Sequence, residues 1–521
     1  MTIEEYFGKI RLCTREEYFG MFGEVEQVLK DLEEQLNNCP LEERKAFLAQ
    51  LGRIAMDVPI WMRIHLLSFC VLVSVDADWA KVLIKEVEHA DYDAVGEYNK
   101  LSHYWQISTA LFCNQSIGSE ELELGLTRLY KTLAEAFAGA LGLSQRAYIP
   151  AEERQQNLVF VFASQVLGME HAPTKTLLDR CYVLQKYLGK KVFIINTAMQ
   201  LTKKGQAPFY KLVEGEYLPA LLQWKELEFK NEKFQFYQCE DVMPDLSVMA
   251  EIVKMVKEQK PYYVLNIGGS DICADICGRI VPEITVSTVF SKIAMSEGEY
   301  QLVDKELTMQ DERQLAILGV RPQNVKRSLF TFSFKTQERT LSRSELLLPE
   351  DKFILLIVGW RLDEEIDEVF LECLNHVMQA DDNIVAAFMG KFDKYECWME
   401  KYPLLQKCSY NLGKQMDALA VTELCNLYVN PRRNGGGSSV SEALYQGIPA
   451  VTLPYGDVSA AAGAEFWAAD YDDMEAQILR YKRDHAFYQE MSKKAKERAA
   501  LLIESSKSFA PVIDEIEKSF V

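Results

Sequence analysis

The densest chemistry in the chain lies at Asn430-Pro431-Arg432-Arg433-Asn434-Gly435-Gly436-Gly437-Ser438-Ser439-Val440-Ser441-Glu442, followed by Ala443-Leu444-Tyr445-Gln446-Gly447-Ile448-Pro449. A short apolar strand, Leu427-Tyr428-Val429, precedes it, and the stretch after the glycines opens a helix. In that setting Gly435, Gly436 and Gly437 let the backbone approach a ligand closely. Ser438 and Ser439 bring hydroxyls and free N–H groups to the helix N-terminus, where the helix dipole favours an anion such as a diphosphate. Glu442 follows one turn later, placed to accept hydrogen bonds from ribose hydroxyls beside that diphosphate. A flexible glycine turn with a surface Glu would use the same residues. The strand entry Gly447-Ile448-Pro449-Ala450-Val451 argues against that plainer reading.

Such a loop works only if strands and helices hold it, and the texture of the chain predicts them. Residues 1–150 carry apolar residues at helical spacing, as in Phe22, Val25, Val28, Leu29 and Leu32, and read as an all-helical domain without a convincing repeat. The run Leu66–Val75 is too short to span a bilayer and reads as a buried helix. After Tyr148-Ile149-Pro150 the apolar run Leu158–Phe162, a helix from Lys175 to Leu188, and the runs Lys190–Ile195 and Tyr262–Ile267 alternate as a parallel sheet requires. This first α/β lobe is expected over 151–335. Part of the polar stretch Arg321–Asp351 serves as connector. A second lobe, over 336–521, is expected from Phe353–Val358, Asn383–Met389, Leu427–Val429 and Ala450–Leu453, with charged terminal helices from Met474 onward that cross both lobes.

Bulk properties narrow the classes. With 521 residues, 48% of them apolar, the chain can bury several cores, about three at the usual 100–200 residues each. A net charge of −20 and a pI near 5.0 exclude a sequence-independent nucleic-acid binder and weaken any case for an anionic membrane surface. The N-terminal residues show no secretory signal and no transmembrane segment is evident, so a cytoplasmic location is expected. The cysteines read as reduced core residues. Cys273 and Cys277 lie one helical turn apart without a neighbouring His, and core packing suits them better than a metal. Asp76-Ala77-Asp78 matches a metal-binding DxD pattern but lies among helices, where capping explains it.

Together, the Gly-rich loop, the acidic residue and Ala443-Leu444-Tyr445-Gln446-Gly447-Ile448-Pro449-Ala450-Val451 resemble the nucleotide-sugar motif of GT-B glycosyltransferases. Where retaining members often carry a further Glu, this chain has Asn434. That departure is closer to the inverting O-GlcNAc transferase family and its bacterial relatives that N-glycosylate adhesins, which also have an N-terminal helical domain. The resemblance is strong over 353–465 and weak elsewhere. It implies an α/β fold of two Rossmann-like lobes facing a cleft, and transfer of a hexosyl or N-acetylhexosaminyl group from a UDP-sugar, with inversion and without a metal or other cofactor. It further implies that Arg361, at the end of a strand, meets the donor phosphates. The common Lys shortly after it is missing, and Lys391 is the substitute expected. Leu412 and Gly413 would meet the nucleobase through main-chain groups, and Asn434 through Ser439 with Glu442 would hold the rest of the donor. Asp457 would touch the sugar or cap the next helix.

On the acceptor side, Gly168-Met169-Glu170-His171-Ala172-Pro173-Thr174 follows the first strand, and Gly268-Gly269-Ser270-Asp271 follows another. His171 is the candidate general base or acceptor-positioning group, since its ordinary pKa lies close to working pH; a structural His in a loop is the plainer alternative. The expected acceptor is a protein side chain, as on an adhesin or flagellin, and self-association is compatible with the sequence. A transferase of polysaccharide or lipid-linked sugar, for which Lys190-Lys191 and Lys203-Lys204 are meagre support, and a catalytically silent partner in a glycosylation complex remain the rival expectations.

Overall fold

Helical spacing of apolar residues produces the first structural layer. The computed structural model describes residues 14–90, 100–114, 117–168, 171–200, 208–290, 292–334 and 337–520; Met169, Glu170, Lys203 and Lys204 therefore lie outside the described residues. The helices α1 (Arg15–Gly20), α2 (Phe22–Asn37), α3 (Leu41–Met56), α4 (Ile60–Ser74), α5 (Ala77–His89), α6 (Lys100–Cys113) and α7 (Glu120–Ala140) come first. Val25, Leu29, Leu32 and Leu36 form the buried stripe of α2, and α4 is buried nearly all round, as Leu66–Val75 suggested. Asp76 accepts a hydrogen bond from the Asp78 N–H at 2.8 Å, so Asp76-Ala77-Asp78 opens α5 as a cap. No helix among the described residues is long and apolar enough to cross a membrane.

The next apolar runs form a sheet. Its strands are β1 (Gln155–Ala163), β2 (Lys191–Asn196), β3 (Glu226–Phe229), β4 (Glu232–Gln238), β5 (Pro261–Ile267), β6 (Glu283–Val286), β7 (Tyr300–Val303) and β8 (Val325–Arg327). They lie in the order β3-β4-β2-β1-β5-β6-β7-β8, parallel except for the β3–β4 hairpin. The polar stretch after Gly319 thus still supplies an edge strand before it becomes the connector. The intervening helices are α8 (Ala172–Lys186), α9 (Leu246–Gln259), α10 (Ile272–Cys277) and α11 (Met309–Leu318).

The second sheet runs β11-β10-β9-β12-β13 and is parallel throughout. Its strands are β9 (Phe353–Gly359), β10 (Ile384–Gly390), β11 (Ser409–Gly413), β12 (Leu427–Val429) and β13 (Ala450–Val451). Around it pack α12 (Leu362–Glu365), α13 (Glu368–Ala380), α14 (Tyr395–Lys401), α15 (Pro403–Cys408), α16 (Ala418–Thr422), α17 (Gly437–Tyr445), α18 (Gly456–Ala462), α19 (Tyr471–Arg483) and α20 (His485–Leu502). In each sheet the strand order reverses once, between β1 and β5 in the first and between β9 and β12 in the second. Open α/β sheets bind ligands at the carboxyl ends of the strands beside such a reversal.

The chain then returns. α21 (Ser505–Glu517) places Phe509, Ala510, Ile513 and Ile516 in the core beneath the first sheet, beside Leu177, Cys181 and Leu184 of α8. Next to this return, the Phe332 N–H donates to the Leu502 carbonyl at 2.7 Å, so the outgoing and returning segments touch.

Buried residues of the N-terminal helices are continuous with those on one face of the first sheet, including Cys273 and Cys277 on α10. A buried polar cluster pins the two together. Tyr130 of α7 donates to Asp275 at 2.7 Å, Ser296 donates to the same carboxylate at 2.6 Å, and Arg279 pairs with Glu297 at 2.6 Å. Burial raises Asp275 to about 6, and burial together with the neighbouring Asp275 pushes Glu283 well above the ordinary carboxylate range. A carboxyl whose folded-state pKa is raised stabilises the fold at low pH, and that contribution is lost as pH rises through the raised value. Glu283→Gln, which is neutral at every pH, is expected to melt closest to the wild type at the acidic end of the ordinary carboxylate range and increasingly above it as pH rises from there toward the raised value. Parallel curves of melting temperature against pH would refute this.

Candidate functional site

The loop between β12 and α17 is built around a buried guanidinium. Arg433 is 3% exposed; it bonds to Glu365 of α12 at 2.8 Å and to the Tyr428 hydroxyl at 3.2 Å. Gly436, the residue before α17, has φ +96°, and a Cβ there would lie 2.5 Å from an Arg433 nitrogen. The turn therefore needs glycine both for its backbone conformation and for space. Ser439 meets the Tyr428 hydroxyl at 2.8 Å and donates to the Gly436 carbonyl at 3.1 Å, fixing the first turn of α17.

Arg361, just after β9, bonds to Glu365 at 3.0 Å and lies 5.1 Å over the ring of Phe112 from α6. It also flanks Gly435, where a Cβ would come within 3.3 Å of its guanidinium. Asn434 donates to the Phe112 carbonyl at 2.5 Å and accepts from the Tyr455 hydroxyl at 2.9 Å. The helical region thus reaches the Gly-rich loop directly. Arg361, Asn434, Gly435, Gly436, Gly437, Ser438, Ser439 and Glu442 come together at the carboxyl ends of β9 and β12. Lys391 bonds through its backbone to Gly359 and Leu362, while its amine is half exposed and pairs with Asp393 at 3.4 Å. Leu412 and Gly413 end β11 at the sheet edge, and the Leu412 carbonyl accepts from the Gln415 amide at 2.6 Å.

Across the cleft stands the loop after β1. His171 precedes α8, and its Nδ1 lies 2.9 Å from the Thr174 hydroxyl. Burial, with the nearby Lys175 ammonium, lowers its pKa to about 4. Gly268-Gly269-Ser270-Asp271 turns toward the helices: Ser270 meets the Tyr104 hydroxyl at 2.8 Å, and Asp271 caps α10 while accepting from Thr197 at 2.7 Å. Asp457 ties the lobes together by accepting from the Phe290 N–H at 2.8 Å, a role beyond the sugar contact or helix cap that its sequence position suggested.

Sequence reasoning missed Lys175. Its ammonium, on the first turns of α8, reaches Glu442 Oε1 at 3.2 Å and Ser438 Oγ at 3.4 Å. Both carboxylate and ammonium are mostly buried, with side chains 12% and 9% exposed, and removing either partner from such a pair strands a charge. The sequence offered only a lysine in a helix. Glu365 was equally silent, since its value lies in binding two arginines at once.

The loop's path also depends on Gly456, at φ +70°, where a Cβ would stand 2.1 Å from the Arg433 carbonyl oxygen. Gly456→Ala is expected to lower stability by about 2 kcal/mol or more, from left-handed strain and backbone displacement. The reading is a lower denaturant midpoint at unchanged m-value; an unchanged midpoint would show that this contact does not hold the loop.

Residues 338–498 match the family model described as glycosyl transferases group 1. Among solved structures, a mutant O-GlcNAc transferase of Thermobaculum terrenum is similar over 100% of this chain and 98% of its own, at 14% identity and a TM-score of 0.57. A glycosyltransferase from Rickettsia africae ESF-5 is similar over 70% of this chain and 99% of its own, at 10% identity and a TM-score of 0.51. A search of the curated proteins found no match. The fold is the expected GT-B arrangement behind a helical N-terminal region, and the part of its second lobe over residues 338–498 is similar to the glycosyl transferases group 1 family.

Proposed function

We propose that this protein is a glycosyltransferase that takes its sugar from a nucleotide-sugar, with UDP as the nucleotide, and transfers it in the cytoplasm to a protein side chain with inversion. The observation that carries the reading is the Gly-Ser turn at the N-terminus of α17, with Glu442 one turn on and facing the first lobe. Backbone N–H groups and hydroxyls at a helix start suit a diphosphate, and a carboxylate beside them suits ribose hydroxyls. The likeness to an O-GlcNAc transferase over the whole chain, helical region included, supports a protein acceptor.

In this mechanism an acceptor nucleophile in the cleft forms a bond to the anomeric carbon from the side opposite the diphosphate. The bond from that carbon to the β-phosphate oxygen breaks, and its electron pair leaves on the oxygen. Ser438, Ser439, the N–H groups of the turn and Arg361 meet the developing charge, where other classes use a metal. Lys391 would have to swing from Asp393 to contribute. The proton of the acceptor passes to His171, whose lowered pKa keeps the imidazole neutral and able to accept it down to about pH 4.

Calorimetry against UDP, GDP and their sugar conjugates is the direct test. One nucleotide-sugar is expected to bind, to be lost in Glu442→Ala, weakened about tenfold or more in the Ser438→Ala, Ser439→Ala double variant, and retained in His171→Ala. Binding to none would sink the reading, and binding without turnover on any protein would favour a silent scaffold. In the active enzyme kcat/KM should hold well below pH 6.5 and fall only toward pH 4, with this acid limb missing in His171→Ala; a fall centred near 6.5 would exclude His171 as the base.

A further inference from the structure

Four cations around the Gly-rich turn have unequal commitments. Arg433 is spent on Glu365 and Tyr428, Arg361 on Glu365 and the Phe112 ring, and Lys391 on Asp393 in solvent. Of the four, Lys175 alone bonds to residues of α17, and it comes from the opposite lobe. One of its two partners, Ser438, belongs to the turn assigned to the diphosphate, and the other, Glu442, is the carboxylate assigned to the ribose. Ribose hydroxyls and the Lys175 ammonium therefore compete for the same carboxylate oxygens, while the ammonium already stands at the edge of the anion site.

We propose that Lys175 is a ligand of the donor diphosphate, carried on Glu442 until the donor's ribose takes that carboxylate and then passed to the phosphates. The proposal rests on the nucleotide-sugar reading above and adds to it a cation from the first lobe. Charge is conserved in the exchange, because the ammonium leaves one anion for another. A lysine ammonium has three donors and a flexible stem, so it can retain Ser438 while it turns. Charge developing on the leaving oxygen would then be met partly from the acceptor lobe, so that a sugar is released only when both lobes are engaged. A merely structural bridge between lobes would stabilise the fold but would not distinguish a diphosphate from a nucleoside.

The test is calorimetry on the full chain with UDP, uridine and inorganic pyrophosphate, for the wild type, Lys175→Met, Lys175→Arg and Glu442→Gln. Lys175→Met is expected to weaken UDP about tenfold or more and leave uridine unchanged or tighter, while Lys175→Arg keeps most of the UDP affinity. Glu442→Gln has the opposite signature, with weaker uridine and severalfold tighter pyrophosphate, because it frees the ammonium; this arm stands even if Lys175→Met fails to fold. Equal UDP binding in Lys175→Met and wild type, or equal losses for UDP and uridine, would overturn the proposal, as would unchanged pyrophosphate binding in Glu442→Gln. If the wild type binds UDP in none of these titrations, it is the UDP-sugar reading that falls.

Discussion

A charge taken out of water must be answered within a few ångströms, and in the second lobe that charge is Arg433. A guanidinium left buried without a partner costs several kcal/mol, so the chain has to bring Glu365 and Tyr428 to it. Much of the local architecture follows from this requirement. Glu365 must sit on a short helix immediately after β9, which also places Arg361 beside the same carboxylate. The turn passing over the guanidinium has no room for a side chain, so it is glycine, and the N-terminal end of α17 follows directly on it. The proposed anion site is in this sense a by-product of burying a cation.

How much of this was legible in the sequence follows from the range of the interactions involved. The long runs Tyr262–Ile267 and Phe353–Val358 declared themselves as buried parallel strands, because both faces are covered and every position but Asn266 is apolar or aromatic. The Gly-Ser turn declared itself because its residue types have few other uses between a strand and a helix. The strands β6, β7 and β8 were less visible: each is only a few residues long, and β8 sits at an edge where Lys326 and Arg327 face outward. The β3–β4 hairpin turns through Lys230 and Asn231, both at positive φ, without the glycine that would have marked it.

The contacts between lobes were illegible for a different reason. Lys175 and Glu442 are 267 residues apart, and nothing local to either reports the other. The same holds for Asp457 and Phe290, and for Phe112 and Asn434. Each pair meets only because two sheets with separately determined reversals present their strand ends to one cleft. The helical region joins them there because the Tyr130 and Asp275 cluster fixes it to the first sheet. Periodicity and motif can place a residue on an element, but the meeting of two elements across a cleft is set by the packing of whole layers.

The crossing of the chain between the lobes carries one last consequence. The segment leaving the first lobe and the segment returning to it run side by side, joined by the bond from the Phe332 N–H to the Leu502 carbonyl. Two bodies linked by a single thread can swivel about any axis; linked by two threads bound together, they bend about the line of the strap and resist twisting. The aromatic rings of Phe290, Phe330 and Phe332, with centroids 4.6–5.7 Å apart, pack at the same place and act as the bearing. Any relative motion of the two lobes is thereby steered toward bending about that line.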